Sequence, residues 1–380
     1  MSDSSDRTPS SNKPAQASPA VADRGDLPAT SGAPAPVGAA ARPDAGGEAS
    51  RSRLAAALDT GAGRNIGLLA VLGLLVIIGI WTAGADRFAT IPNTLNILQL
   101  ASIIAVISVG MTFVIIGGGI DLSVGAIVAL ASVWCTTVAT QTTAENSSFL
   151  AMAGVALAVG TACGAINGLL IAYGRIVPFI MTLAMLAGAR GLAERISDRQ
   201  SQLVTVRPFV DFFNARPISI GEFAPSMAVY IFIVVAIVGW VVLNRTTFGR
   251  RTFAVGGNIE AARLAGIDVR RHTAYLYTLL GFCCGIAAIM ITARTTTGTS
   301  THGLLYELDA IAAVVIGGTL LSGGRGTIVG SMLGVLVFTV LTNIFSLNNL
   351  TTATQAIAKG VIIVLAVLVQ QRVGRSSAAP

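Results

Sequence analysis

Ionisable and amide side chains that interrupt otherwise apolar runs are the residues of this chain most able to do chemistry, and they are few. Asp121 follows three consecutive glycines in Gly117-Gly118-Gly119-Ile120-Asp121-Leu122-Ser123-Val124-Gly125. Glu307 and Asp309 open a run that starts at Tyr306 and ends in Gly317-Gly318-Thr319-Leu320-Leu321-Ser322-Gly323-Gly324-Arg325-Gly326. Asn167 and Lys359 each sit inside a further apolar run. A charged side chain in lipid costs about 2.5–3.5 kcal/mol on insertion scales, so it needs a partner, water or the membrane surface. Two roles are open for each residue. Asp121 either caps the helix that follows it, near the cytoplasmic surface, or marks a broken helix whose freed backbone lines a pathway. Glu307 and Asp309 are either acids favoured by the positive end of a helix or groups at an external mouth that meet a solute. Asn167 either bonds a neighbouring helix or lines the pathway. Lys359 lies about five residues into its run and can snorkel outward. Ser123, Thr319 and Ser322 stand beside the glycine breaks, so the candidate pathway residues are Asp121, Ser123, Asn167, Glu307, Asp309, Thr319 and Ser322.

No catalytic constellation accompanies them. GxSxG, HExxH and a paired-carboxylate pocket are missing, and the glycine-rich 317–326 segment lacks the GKS or GKT of a phosphate loop. The chain is therefore not expected to be an enzyme or to hold a cofactor; if ATP drives its work, another polypeptide binds the ATP and its magnesium. Cys135, Cys163, Cys283 and Cys284 lie in apolar runs without a CxxC, and His272 and His302 are far apart in sequence. Packing is expected of the thiols, and no metal site.

The elements that position these residues must be membrane helices. Hydrophobic residues make up 53% and charged residues 11% of the chain, against about 25% charged in typical soluble domains. Mean hydropathy is +0.75. The 42 glycines suit helices packed closely in lipid. Residues 1–63 carry almost no large apolar side chains, which predicts a disordered cytoplasmic tail rather than a cleaved leader. Residues 64–372 form the expected membrane domain and 373–380 a short cytoplasmic tail. About ten spans are predicted, near 66–84, 93–116, 121–140, 148–172, 176–194, 227–243, 272–293, 307–322, 327–346 and 354–371, each close to the roughly 20 residues that cross a bilayer. The expected class is an all-α integral membrane protein with broken helices.

Charge orients those spans. The net charge of +7 comes almost wholly from arginine, since Lys13 and Lys359 are the only lysines. The basic residues cluster at the ends of apolar spans rather than on a separate polar surface, which excludes nucleic acid as a partner. With Arg51, Arg53 and Arg64 inside, alternation puts Arg175, the 244–271 loop, Arg325, Arg372 and Arg375 inside as well, and both termini with them. The 195–226 loop then falls outside. The 244–271 loop holds six arginines opposed only by Glu260 and Asp268. At its centre Asn258 can cap a short helix, Glu260 suits its positive end and Gly266 can stop it in the left-handed conformation. A small stiff helix on the cytoplasmic face invites a cytoplasmic partner. Val114-Ile115-Ile116-Gly117-Gly118 also recurs as Val314-Val315-Ile316-Gly317-Gly318, consistent with two inverted repeats around a midplane pathway.

Several long motifs resemble one family. Met111 to Ile116 leading into Gly118 to Gly125, Asn244-Arg245-Thr246 with Phe248-Gly249-Arg250, Gly256-Gly257-Asn258, Glu260 to Leu264 with Gly266-Ile267, and Tyr306 to Ala313 with the 317–326 segment are similar to the ribose/xylose-type ABC sugar permeases. The resemblance covers about residues 66–371 in order, with Ile259 where that family often has the proline favoured in a first helical turn. It implies a bacterial inner-membrane, multi-pass importer subunit that works as a homodimer or with a related permease in membrane lipid. An ABC ATP-binding subunit would dock inside and a periplasmic sugar-binding protein outside. It also implies that Gly257, Asn258, Glu260, Ala261, Ala262, Arg263, Leu264 and Gly266 form the segment that couples to the ATPase. A related permease for nucleosides or branched-chain amino acids, and an ion-coupled secondary transporter, remain the alternatives; the latter needs titratable groups arranged as a relay.

Overall fold

In the computed structural model, the described residues are 61–362 and 364. The expected tails at 1–63 and 373–380 lie outside them, apart from residues 61–63. The helices are α1 (Gly61–Ala83), α2 (Ala85–Phe88), α3 (Ile91–Ile116), α4 (Val124–Cys135), α5 (Val138–Asn146), α6 (Leu150–Ala172) and α7 (Pro178–Ser197). They continue with α8 (Arg207–Asn214), α9 (Met227–Arg245), α10 (Thr247–Gly257), α11 (Ile259–Leu264), α12 (Val269–Thr295), α13 (Tyr306–Ile316) and α14 (Ile328–Leu347). Residues 352–362 are helical as well. Strands β1 (Gln202–Leu203) and β2 (Thr297–Gly298) pair antiparallel in a two-residue ladder.

Among the described residues, six helices are long and apolar enough to cross a membrane: the 65–83 part of α1, and α3, α6, α9, α12 and α14. Helices α4 and α5 make a seventh candidate as a pair bent by 56° at Thr136-Thr137. Two of the expected spans take other forms. The run near 176–194 is α7, whose Arg190, Glu194 and Arg195 dilute its hydropathy. The run near 307–322 is α13, only 11 residues long, which spans about 16 Å, or half of a hydrocarbon core of about 30 Å. The last expected span, 354–371, lies partly outside the described residues. A count of ten full-length spans is thus not what the described residues display.

Helix α3 is the axis of the core. Each of its residues from Ala101 to Ile116 is buried, and α12 packs along it, buried at Ala287, Ala288 and Met290 among others. By contrast α1 and α9 leave Ile77, Trp81, Val234 and Ile237 exposed, as helices facing lipid or another subunit must. The most extensive helix–helix contact is that of α6 with α12. Gly160, Gly164 and Gly168 lie at four-residue spacing on α6, against Ala274, Gly281 and Gly285. A Cβ on Gly160 would sit 2.5 Å from the Gly281 carbonyl oxygen and one on Gly168 2.6 Å from that of Ala274. Small residues permit this backbone approach, which replaces the hydrophobic drive that lipid does not supply.

Contacts sort the connecting segments into two sets. Arg87 donates to the Leu347 carbonyl (2.9 Å), Arg294 to Asn96 (3.1 Å), Asn214 to the Ala293 carbonyl (2.7 Å) and Gln141 to the Leu203 carbonyl (3.0 Å). These join 84–96, 141–146, 202–226, 293–302 and 347 at one end. Residues 116–119, 256–257 and 323–324 meet at the other, where the Gly324 amide donates to the Ile116 carbonyl at 2.8 Å. The sets are those that alternation of the spans predicts. The two motif copies, however, both end in this second set: α3 and α13 run in the same direction, so this pair is not one that an inverted repeat would relate.

The glycine seam is testable. Gly164→Ala should destabilise the folded protein by about 1–3 kcal/mol through overpacking, because its methyl would meet the Tyr277 carbonyl. Gly154→Ala, on the same helix with open space around it, should leave thermal unfolding in detergent unchanged.

Candidate functional site

The break after α3 is closed by its own backbone. The Gly118 amide donates to the Ile115 carbonyl and the Gly119 amide to that of Val114, both at 2.9 Å, with Gly118 at φ +83°. This is the paired cap that ends a helix in the left-handed region. After α13 the same pattern recurs: Gly318 to Val315 at 2.8 Å and Thr319 to Val314 at 3.1 Å, with Gly318 at φ +85°.

Beyond the first break the structure brings Asp121, Ser123 and Asn167 together. The Ser123 amide (2.7 Å) and hydroxyl (2.6 Å) donate to Asp121 Oδ1. Asn167 Nδ2 on α6 donates to Asp121 Oδ2 (3.3 Å) and to Ser123 Oγ (2.9 Å). The Tyr277 hydroxyl donates to the Ile120 carbonyl at 3.3 Å. Asp121 is 1% exposed, and Ser123 and Asn167 are fully buried. Asp121 is therefore enclosed by protein rather than open to solvent. It fastens the turn before α4 to α6 inside the helix bundle, with donors replacing the water it has lost.

Glu307 and Asp309 sit at the start of the half-helix α13, beside the 299–305 loop. Arg190 holds that loop by donating to the carbonyls of Ser300 and His302, the latter at 2.9 Å. His302 Nδ1 in turn lies 3.1 Å from Ser132 Oγ on α4. Asp309 is already engaged: Lys359 Nζ reaches its two oxygens at 2.9 and 3.0 Å, with the Phe338 ring 5.2 Å away. Lys359 thus does not snorkel. It fastens the 352–362 helix to α13, a pairing that no local sequence signal announces. Of the other candidates, Thr319 is buried and Ser322 is exposed in the 317–327 turn. None of the seven pathway candidates lines either of the two clefts described next.

The first cleft, of about 720 Å³, lies between the end of α6, the start of α12, the 117–119 turn and α11, with Arg175, Arg263 and Arg270 on its walls. The second, of about 480 Å³ at the other end, is lined by Asn96, Gln99, Arg216 and Glu222 beside Pro92 and Leu95. Span patterning gave no reason to single out Asn96 and Gln99, which lie in the early turns of a helix that reads as uniformly apolar.

The short helix of the 244–271 loop forms as its punctuation requires. Asn258 Oδ1 accepts from the Ala261 amide at 3.0 Å. Gly266 adopts φ +79°, with its amide donating to Arg263 and that of Ile267 to Ala262. Glu260 and Arg263 pair at 2.9 Å on the exposed side. Ala262 faces its own chain at 3% exposure, so a bulky residue there would disturb this chain before it met a partner. Leu264 is the outward residue, 89% exposed, with Ile259 at 49%. The loop is anchored by the contact of Thr252 with His272 at 3.0 Å and by the Phe248 ring, 4.7 Å from that imidazole.

A multi-span helical protein with a glycine-ended half-helix and an exposed capped helix between spans has the construction of a transporter's membrane subunit. The family described as branched-chain amino acid transport system / permease component matches residues 93–369, and the chain belongs to it. It is 38% identical over 306 residues to the ribose import permease protein RbsC of Escherichia coli, covering 80% of this chain and 92% of that one. With RbsC of Bacillus subtilis it shares 41% over 303 residues, 79% and 91% of the two chains. The galactose/methyl galactoside import permease protein MglC of Escherichia coli is 35% identical over 309 residues, 77% and 90%. No solved structure is significantly similar.

Removing one member of the Asp309–Lys359 pair should cost about 3–5 kcal/mol, the usual penalty for a buried charge left alone. Asp309→Asn and Lys359→Met should each lower the unfolding temperature in detergent, and the double variant should recover most of the loss.

Proposed function

We propose that this chain is the membrane-spanning permease subunit of an ATP-driven importer that carries a monosaccharide across the bacterial inner membrane. The observation that carries this reading is identity of 35–41% over nine tenths or more of permeases named for ribose and galactose. The family description names branched-chain amino acids, but these near full-length relatives are sugar permeases. An ion-coupled mechanism needs titratable groups in series; here Lys359 is spent on Asp309, and Asp121 is enclosed by Ser123 and Asn167.

In this reading two permease subunits, identical or related, flank the pathway. A separate ATPase holds ATP and magnesium and docks on the α11 side, and a periplasmic binding protein delivers sugar at the opposite end. The arginine bias supports a cytoplasmic position for the α11 end and for both termini. The exposed Leu264 crest, with Ile259 and Ala261 beside it, is an apolar surface on a helix stiffened by the Asn258 cap and the Gly266 stop. Closure of the ATPase pair would carry that helix with it and change which face of the pathway is open. ATP can shift access only by the difference in its affinity for the two states.

Two measurements test the reading. In proteoliposomes containing the permease, its ATPase and its binding protein, uptake of labelled pentose or hexose should require ATP; uptake driven instead by an ion gradient would overturn it. Leu264→Asp should weaken co-purification with the ATPase by about tenfold or more, since a buried leucine contributes about 1.5–3 kcal/mol, while binding-protein association is retained. For orientation, cysteines at Ser219 and Ala265, both exposed, in a background without native cysteines should react from opposite faces of intact cells.

A further inference from the structure

We propose that Gly256 is the positioning residue that ties the coupling helix α11 to the ends of both α3 and the α13–α14 connection, by backbone contact alone. The inference rests on the transport reading above and assigns the route by which motion leaves α11.

Three backbone segments meet at this point. The first is the capped end of α3 at Ile116–Gly119. The second is the last turn of α10 at Gly256-Gly257, immediately before the Asn258 cap. The third is Gly323-Gly324, in the turn between α13 and α14. The Ile116 carbonyl, left over by its own helix, accepts from the Gly324 amide at 2.8 Å. A Cβ on Gly256 would collide with that carbonyl and lie 2.8 Å from the Gly324 nitrogen, so a single methyl would part the hydrogen bond. From the other side, a Cβ on Gly323 would lie 2.8 Å from the Gly256 oxygen and 3.0 Å from Gly118 Cα, and one on Gly324 2.9 Å from Gly257 Cα. Gly118, Gly323 and Gly324 all hold positive φ, at 83°, 84° and 74°.

Side chains can absorb a displacement by changing rotamer; backbone in contact with backbone cannot. A shift of α11 therefore moves Ile116 and Gly324 with it. The first leads through Asp121 into α4, and the second leads into α14. One joint thus drives both glycine-broken connections together. Thr252, midway along α10, holds that helix to His272 of α12, which makes the last turns of α10 the lever between a fixed point and this joint.

A helix-interior glycine away from the joint supplies the control. A Cβ on Gly154 of α6 meets nothing within 4 Å, and alanine favours the helix over glycine there as well. The experiment uses the complete importer, permease with ATPase and binding protein, in proteoliposomes, and reads sugar taken up per ATP hydrolysed. Gly256→Ala should keep ATPase association and basal hydrolysis yet lower that ratio by about tenfold, within the range of ordinary coupling energies. Gly154→Ala should stay within about twofold of the unmodified complex, a change of under 1 kcal/mol by the usual conversion. Equal ratios in the two variants would overturn the joint while leaving the transport reading intact; absence of ATP-dependent uptake by the unmodified complex would overturn the transport reading itself. If Gly256→Ala fails to assemble, spin labels at Ala265 and Ser322, both exposed, decide the matter with the glycines in place. Their separation should be the same with and without ATP while both move relative to a label at Ser219. A changed separation between Ala265 and Ser322 would refute the joint.

Discussion

A helix that ends among packed segments leaves carbonyls that water cannot reach, and each costs free energy unless the protein supplies a partner. The rest of this structure follows from how those ends are closed. Helices α3 and α13 both finish with a left-handed glycine and the same pair of back-directed hydrogen bonds. The carbonyl of Ile116 that remains finds its donor on Gly324, some two hundred residues away in sequence. The chain can therefore afford broken spans only where distant segments converge, and this sets which elements must stay neighbours.

Polar side chains inside the bundle serve the same constraint. Asp121 receives the Ser123 amide and hydroxyl and the Asn167 amide, so the turn that starts α4 is held to α6. Lys359 neutralises Asp309 at the head of the half-helix α13. Both acids read as pathway candidates on composition, and both turn out to be fastened to partners. Fastening and function are compatible, since a half-helix held at one end by an ion pair and at the other by a glycine joint is an element with two defined anchor points.

The surface divides by the same logic. Helices α6 and α12 meet backbone to backbone through glycine and alanine, with no long side chain between them to yield. The α11 helix lies outside that seam, with its apolar Leu264 presented outward. A stiff seam beside a displayed helix is the arrangement required if a soluble motor is to move one part of a membrane protein against another.

The sequence by itself determined the class, the spans with strong and continuous hydropathy, the alternation that sorts the connecting segments into two sets, and the short helix from Asn258 to Gly266. These are local matters: length, period, charge at span ends and cap residues all act within a few positions of one another. The motifs also carried the family resemblance. Only the tertiary structure decided that Asp121, Ser123 and Asn167 form one cluster, that Lys359 pairs with Asp309 rather than reaching for the surface, and that Ala262 faces inward while Leu264 faces out. It likewise decided that α13 is a half-helix and that the Val-Ile-Gly-Gly copies run in parallel. Each of these depends on which distant segments meet, and a hydrogen bond between residues 46, 50 or 208 positions apart leaves no periodicity in the chain from which it could be read.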